Sequence, residues 1–164
     1  MKKIGIIMGS DSDLPIIEKA INTLKAFDVP FEVHVFSAHR TPEQARDFSL
    51  NARKNGFGAI IAAAGMAAHL AGAFAAHSTL PVIGIPVKSS TLDGVDALLS
   101  TIQMPTGMPV ATVAINGAAN AALLSVEILS VYEKELEEKL RAYREAGTRK
   151  VLEKDKEVRE KFSC

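Results

Sequence analysis

Short apolar runs alternate with amphipathic stretches along the chain. Lys3–Met8 (KIGIIM) is apolar and closed by Gly9, the pattern of a strand buried on both faces. Asp11, Ser12 and Asp13 then offer N-cap oxygens, and Leu14, Ile17, Ile21 and Leu24 recur at helical spacing as far as Phe27. Pro30–Phe36 has the β-branched and aromatic content of a second strand. Thr41-Pro42-Glu43-Gln44 reads as a capping box with proline at the first helical position, opening a helix that runs to about Asn55 and stops at Gly56. Ala59–Ala64 predicts a third strand, followed by a helix from near His69 to His77. Pro81–Ile85 predicts a fourth strand, Asp93–Ile102 a helix, and Pro109–Ile115 a fifth strand. One long amphipathic helix is expected from Ala118 to Ala146, ending at Gly147.

Strands alternating with helices imply an α/β protein, a parallel sheet covered on both faces. Five strands fit a three-layer α/β/α sandwich in the flavodoxin-like order 2-1-3-4-5. No linker or repeat interrupts residues 1–146, so a single domain with a charged C-terminal tail at 147–164 is expected. In such sheets ligands bind beyond the carboxyl ends of the strands, so chemistry is sought in the loops there.

Charge changes the picture. Lys plus Arg and Asp plus Glu number 19 each, and no basic stripe interleaved with aromatics points to nucleic acid. Of those 38 charges, 19 fall within Glu133–Cys164, whereas Asn55–Tyr132 holds only Lys88, Asp93, Asp96 and Glu127. A stretch so poor in charge coats a small monomer badly. Its Ala, Gly and Pro content does not suit a membrane span, so burial between subunits of a homo-oligomer is the expectation. The lone cysteine, Cys164, allows no internal disulfide and fits a reducing compartment. The apolar run at the N-terminus is too short, and too soon followed by Asp11 and Asp13, for a secretory signal.

The strand-end loops hold the candidate chemistry. Gly9-Ser10-Asp11-Ser12-Asp13 opens a helix with hydroxyls and free N–H groups suited to a phosphate, although Ser and Asp also serve as ordinary caps. It matches neither the P-loop nor the dinucleotide pattern, so ATP and NAD are not implied. Ser37-Ala38-His39-Arg40-Thr41-Pro42 sets a proton carrier beside a planar phosphate-binding fork. Gly65-Met66-Ala67-Ala68-His69-Leu70 leaves backbone donors uncovered for a ring or carboxylate, or simply packs a close Ala/Gly helix with a structural histidine. Lys88 either faces a ligand anion or is a solvated loop residue; Asn116 and Asn120 are turn residues or contacts. The loop Gln103–Pro109 lies at the opposite edge of the sheet, within reach of a site only in a neighbouring subunit. His34 and His77 read as structural, and scattered histidines with no cysteine pair argue against zinc.

Taken together, Met8-Gly9-Ser10-Asp11-Ser12-Asp13, Ser37-Ala38-His39-Arg40-Thr41-Pro42, Ala67-Ala68-His69-Leu70, Gln103-Met104-Pro105 and Asn120-Ala121-Ala122-Leu123-Leu124 resemble the class I N5-carboxyaminoimidazole ribonucleotide mutases, over roughly residues 3 to 146. The resemblance implies conversion of N5-carboxyaminoimidazole ribonucleotide to its C4-carboxylated isomer in purine biosynthesis. It also implies no metal or other cofactor, and a cytoplasmic homo-octamer. It assigns proton transfer to His39 and ribose and phosphate binding to Ser10, Asp13 and Arg40. His69 shapes the carboxylate pocket, and Ser12, Ser37, Gly65, Ala67, Ala68 and Leu70 complete the substrate site. Two departures stand out: Ala71 replaces a usual proline, freeing the backbone, and Met66 adds bulk where the family usually has glycine. A class II group of the same fold carboxylates aminoimidazole ribonucleotide with free CO₂ and typically has Lys in place of Arg40. A non-catalytic nucleotide-binding module is the reading from another class. A flavin carrier is disfavoured, because the chain has no Trp and its only tyrosines are Tyr132 and Tyr143.

Overall fold

A computed structural model describes residues 1–162. Cys164 lies outside them. The strands are β1 (Lys3–Met8), β2 (Phe31–Val35), β3 (Phe57–Gly65), β4 (Val82–Val87) and β5 (Ala111–Thr112). The helices are α1 (Leu14–Ala26), α2 (Pro42–Asn51), α3 (Leu70–His77), α4 (Val95–Ile102), α5 (Ala118–Ser130) and α6 (Lys134–Phe162), with a 3-10 turn at Asp11–Asp13. All strand pairs are parallel and the order is β2-β1-β3-β4-β5, the expected doubly wound sandwich.

The period of two along the strands divides the core between the two faces. Ile4, Ile6 and Met8 of β1 join Ile61 of β3 and Ile83 and Ile85 of β4 beneath α1 and α5. Ile7, Ile60, Ala62 and Val82 face the other way, beneath α2 and α3. Gly84 is needed for close approach: a Cβ there would lie 2.4 Å from Thr101 Cγ2 of α4.

Three expectations are corrected. The single long helix breaks at Val131–Glu133 into α5 and α6, and Tyr132 stands in the break rather than on a helix. The turn brings Leu136 and Leu140 back onto the core under α1 and α5, and sets Tyr143 5.6 Å from the Phe27 ring. A straight continuation would leave these apolar groups in water. Gly147 does not end the helix, which continues to Phe162. A helical glycine costs only about 1 kcal/mol. Good helix formers surround this one, with i,i+4 pairs such as Arg159–Asp155 (2.6 Å) beyond it. The fifth strand is reduced to two residues; Pro109 at the start of the expected run has no N–H to donate. Among the described residues no helix is long and apolar enough to cross a membrane.

Candidate active site

β1 is flanked by β2 and β3, with Met8 in register with Val35 and Ala63, so the three loops that follow these strands are neighbours. The loop after β2 is held by its own residues. Thr41 does not cap α2 as the capping-box pattern predicts. Its hydroxyl instead accepts from the Ser37 N–H at 2.9 Å and donates to the Ser37 carbonyl, while the Ser37 hydroxyl accepts from the Arg40 N–H. These bonds close a small ring of backbone around His39 and Arg40 and leave both side chains exposed.

The Arg40 guanidinium reaches back over β1 and donates to the Gly9 carbonyl at 3.4 Å. His39 spans further: its Nε2 lies 3.0 Å from His69 Nδ1, and the rings meet edge to face at 78°. Neighbouring strands are about 4.8 Å apart, so this contact bridges the full width of β1. Two histidines from flanking loops therefore arch over the central strand end. One proton joins them, which ties one nitrogen of each ring and leaves the other nitrogen of each unbound by this contact.

The loop after β1 is also self-braced. The Ser12 N–H and hydroxyl both donate to Ser10 Oγ, and the Ser10 hydroxyl donates to Asp11. Ser10, not an aspartate, caps this turn, whereas Asp13 precedes α1 without a capping bond. Asp13 is only 8% exposed. Burial pushes its carboxyl above the ordinary 3.8; a main-chain bond with Ser10 pulls it down, and the nearby Asp11 charge raises it further. No side chain caps the start of α1, α2 or α3, so three positive helix ends lie around the same opening.

After β3, Gly65 is packed closely: a Cβ would lie 3.2 Å from the Val87 carbonyl. The His69 N–H donates to the Ala67 carbonyl, a tight turn that aims the imidazole at His39. The side chains of Ala68 and Leu70 are buried, so what these residues can offer a ligand is main chain. Ser10, Ser12, Asp13, Ser37, His39, Arg40, Gly65, Ala67 and His69 thus gather at one edge. Among the described residues no group of three His, Cys, Asp or Glu side chains converges as a metal site. A groove of about 470 Å³ lies between α5 and α6, but Arg144 and Glu127 there neutralise each other and no histidine lines it.

The chain alone leaves His69 open between a core role and a functional one; its contact with His39 follows from the sheet order, in which strands two and three flank strand one and their loops touch.

The AIR carboxylase family model matches residues 3–150. This chain belongs to the AIR carboxylase family. It is 54% identical over 157 residues to the N5-carboxyaminoimidazole ribonucleotide mutase of Pyrococcus horikoshii, covering 96% of this chain and 89% of that protein. Against the mutase of Thermotoga maritima it is 51% identical over 154 residues, covering 94% and 90%. It also matches the phosphoribosylaminoimidazole carboxylase of Saccharomyces cerevisiae, 59% identical over 130 residues, which are 79% of this chain but only 23% of that one. In three dimensions it resembles Treponema denticola PurE with a TM-score of 0.85 at 30% identity, covering 94% and 97%.

Proposed function

We propose that the chain is an N5-carboxyaminoimidazole ribonucleotide mutase. It transfers the carboxyl group of the carbamate on the exocyclic nitrogen to C4 of the same ring, in purine biosynthesis. The chain matches mutases almost end to end, and the larger carboxylases over about a quarter of their length. The observation that carries the chemistry is the histidine bridge, His39 to His69, with Arg40 alongside.

Atoms balance as follows. The carbamate N–C bond breaks, its electron pair returns to nitrogen, and CO₂ is released in the site. C4 attacks that CO₂, forming the new C–C bond. The C4 proton leaves, and a proton is returned to the exocyclic nitrogen. His39 carries this proton between the two positions, general acid–base help worth about 10²–10⁴-fold. His69 fixes the tautomer and tilt of His39 through the shared hydrogen bond and lies against the carboxyl in transit. Arg40, Ser10, Ser12 and the open helix starts hold the phosphate, and Asp13 accepts from the ribose hydroxyls. Ser37 and the main chain of Gly65, Ala67, Ala68 and Leu70 line the ring. Holding CO₂ beside C4 supplies the proximity that free solution lacks. None of these steps calls on a metal or another cofactor.

The same reading carries a domain at 1–146 that works in the cytoplasm as a homo-octamer. Leu92, Val95, Leu99 and Ile102 support self-association: they line one exposed face at spacings of three and four along and just before α4. Purified protein given the N5-carboxylated ribonucleotide, with mass measured in solution, tests both points. Rapid isomerisation is expected, with only slow carboxylation of aminoimidazole ribonucleotide by bicarbonate. Fast carboxylation without isomerisation would assign the protein to the free-CO₂ group instead, and binding without turnover would make it a nucleotide-binding module.

A further inference from the structure

Four described residues other than glycine hold a positive φ: Asp28 (56°), Met66 (55°), Asp93 (52°) and Asn116 (58°). Aspartate and asparagine enter this region readily, because a short polar side chain can bond nearby. Each of these three also has a partner. Asp28 pairs with Lys139, Asp93 pairs with Lys88, and the Asn116 side-chain carbonyl accepts from the Lys88 N–H. Met66 is the exception. It is long and apolar, its thioether is a poor hydrogen-bonding group, and it is 67% exposed. Neither packing nor polar bonding offsets its left-handed backbone.

Its position is as telling as its conformation. Gly65 is clamped against Val87, so the end of β3 cannot recede. Met66 is the first side chain beyond that clamp, and His69, three residues on, bonds His39. A strained, unpacked apolar residue therefore stands on the rim of the loop that carries half of the histidine bridge. Methionine suits a cover that must adapt: three rotatable bonds and a polarisable sulfur let it settle on an aromatic ring.

We propose that Met66 is the apolar cover over the reacting end of the bound ribonucleotide, packing on the aminoimidazole ring and keeping released CO₂ beside it. This inference rests on the mutase reading above. Between breakage of the N–C bond and formation of the C–C bond, ring amine and CO₂ are separate molecules. If CO₂ escapes, the amine keeps the proton it has gained, and aminoimidazole ribonucleotide is the product. The cover sets how often that happens.

The test is the partition of N5-carboxyaminoimidazole ribonucleotide between the C4-carboxylated product and aminoimidazole ribonucleotide. It is measured on the full-length protein and corrected for spontaneous loss without enzyme. Met66→Ala keeps the strained backbone and removes the side chain; Met66→Gly removes both; Met66→Leu keeps the bulk. Removing the side chain in Met66→Ala and Met66→Gly is expected to raise the leaked fraction about tenfold, and Met66→Leu to restore it. Met66→Gly is also expected to melt higher than Met66→Ala. Wild-type partition in both the Ala and Gly variants overturns the cover while leaving the mutase reading intact. So does a change of mass in solution in those variants, which would make Met66 a subunit contact. A wild-type protein that does not isomerise the substrate overturns both.

Discussion

The carboxyl edge of one sheet carries two kinds of polar loop. After β4 and β5 the polar groups satisfy one another. The Lys88 N–H donates to Asn116 Oδ1 at 2.9 Å, its ammonium pairs with Asp93 at 2.9 Å, and the Asn116 N–H donates to the Pro86 carbonyl. After β1, β2 and β3 several hydrogen bonds brace loop backbones, as between Thr41 and Ser37 or Ser12 and Ser10, and the bonds of His39 to His69 and of Arg40 to the Gly9 carbonyl leave each of these side chains with nitrogens to spare. There His39, Arg40 and His69 stand exposed on braced loops. On the proposed function, a polar residue at a strand end serves as a ligand group when its neighbours leave it bonding capacity to spare, and that difference separates the structural loops from the reactive ones on this scaffold.

The sharpest break in this contrast comes from His39. In His39→Asn the side chain can still bond but cannot carry a proton near neutral pH, and turnover is expected to fall by about 10²–10⁴-fold. A steady-state rate within a few-fold of the wild type would remove the imidazole from the chemistry. Arg40→Ala comes next. Losing charged hydrogen bonds to a phosphate costs about 1.5–3 kcal/mol, roughly 10- to 100-fold in affinity. Because such contacts act equally before and during reaction, the loss is expected in KM with kcat nearly kept. A collapse of kcat at unchanged KM would place Arg40 at the reacting atoms.

Asp13 sharpens the contrast through pH. Its carboxyl pKa is raised in the folded protein, chiefly by burial. A group of this sign favours the fold when protonated. Its contribution is complete below the unfolded value of 3.8 and is lost as pH rises through the folded value. Above the unfolded value the buried aspartate therefore costs stability, and on the proposed function that cost is carried for an acceptor to the ribose hydroxyls. Asp13→Asn is expected to raise the melting temperature at pH 7, with the gain shrinking toward pH 3, and to weaken ribonucleotide binding. A variant that melts lower at pH 7 and still binds normally would contradict both halves.

What could be read in the sequence follows from how local the signal is. The apolar runs and their turn residues give the β1 span and locate β3 and β4, because strands buried on both faces need little but hydrophobicity and length; β2 is part-exposed and found by its β-branched and aromatic content, and β5 keeps only two of its expected residues. The break between α5 and α6 was hidden, since Ser130, Val131 and Tyr132 carry no glycine or proline and the turn exists only to bury Leu136. Helix through Gly147 was hidden for the converse reason: a strong local breaker is outvoted by the residues around it. At the site, Ser37–Arg40 could be picked out from the chain, but the partnership of His39 with His69 joins residues 30 apart and needs the sheet order. The strain at Met66 is likewise a property of its φ, not of its chemical type.

The smallest effect belongs to the other half of the edge. Lys88 is the only cation between Lys54 and Lys134, and on charge alone it is the natural anion ligand of this stretch. In the fold its ammonium is engaged by Asp93, and what positions the loop is its main-chain N–H, which any residue but proline would keep. An exposed pair of this kind is worth about 0–1 kcal/mol. Lys88→Ala is therefore expected to melt close to the wild type and to isomerise substrate with kcat and KM within about twofold, since a change under 0.5 kcal/mol is only about a factor of two. A tenfold rise in KM would show that Lys88 leaves Asp93 for the substrate, and that a paired residue on this edge can still be a ligand. The contrast would then fail where it looks safest, and unspent polar groups would no longer separate the reactive loops from the structural ones.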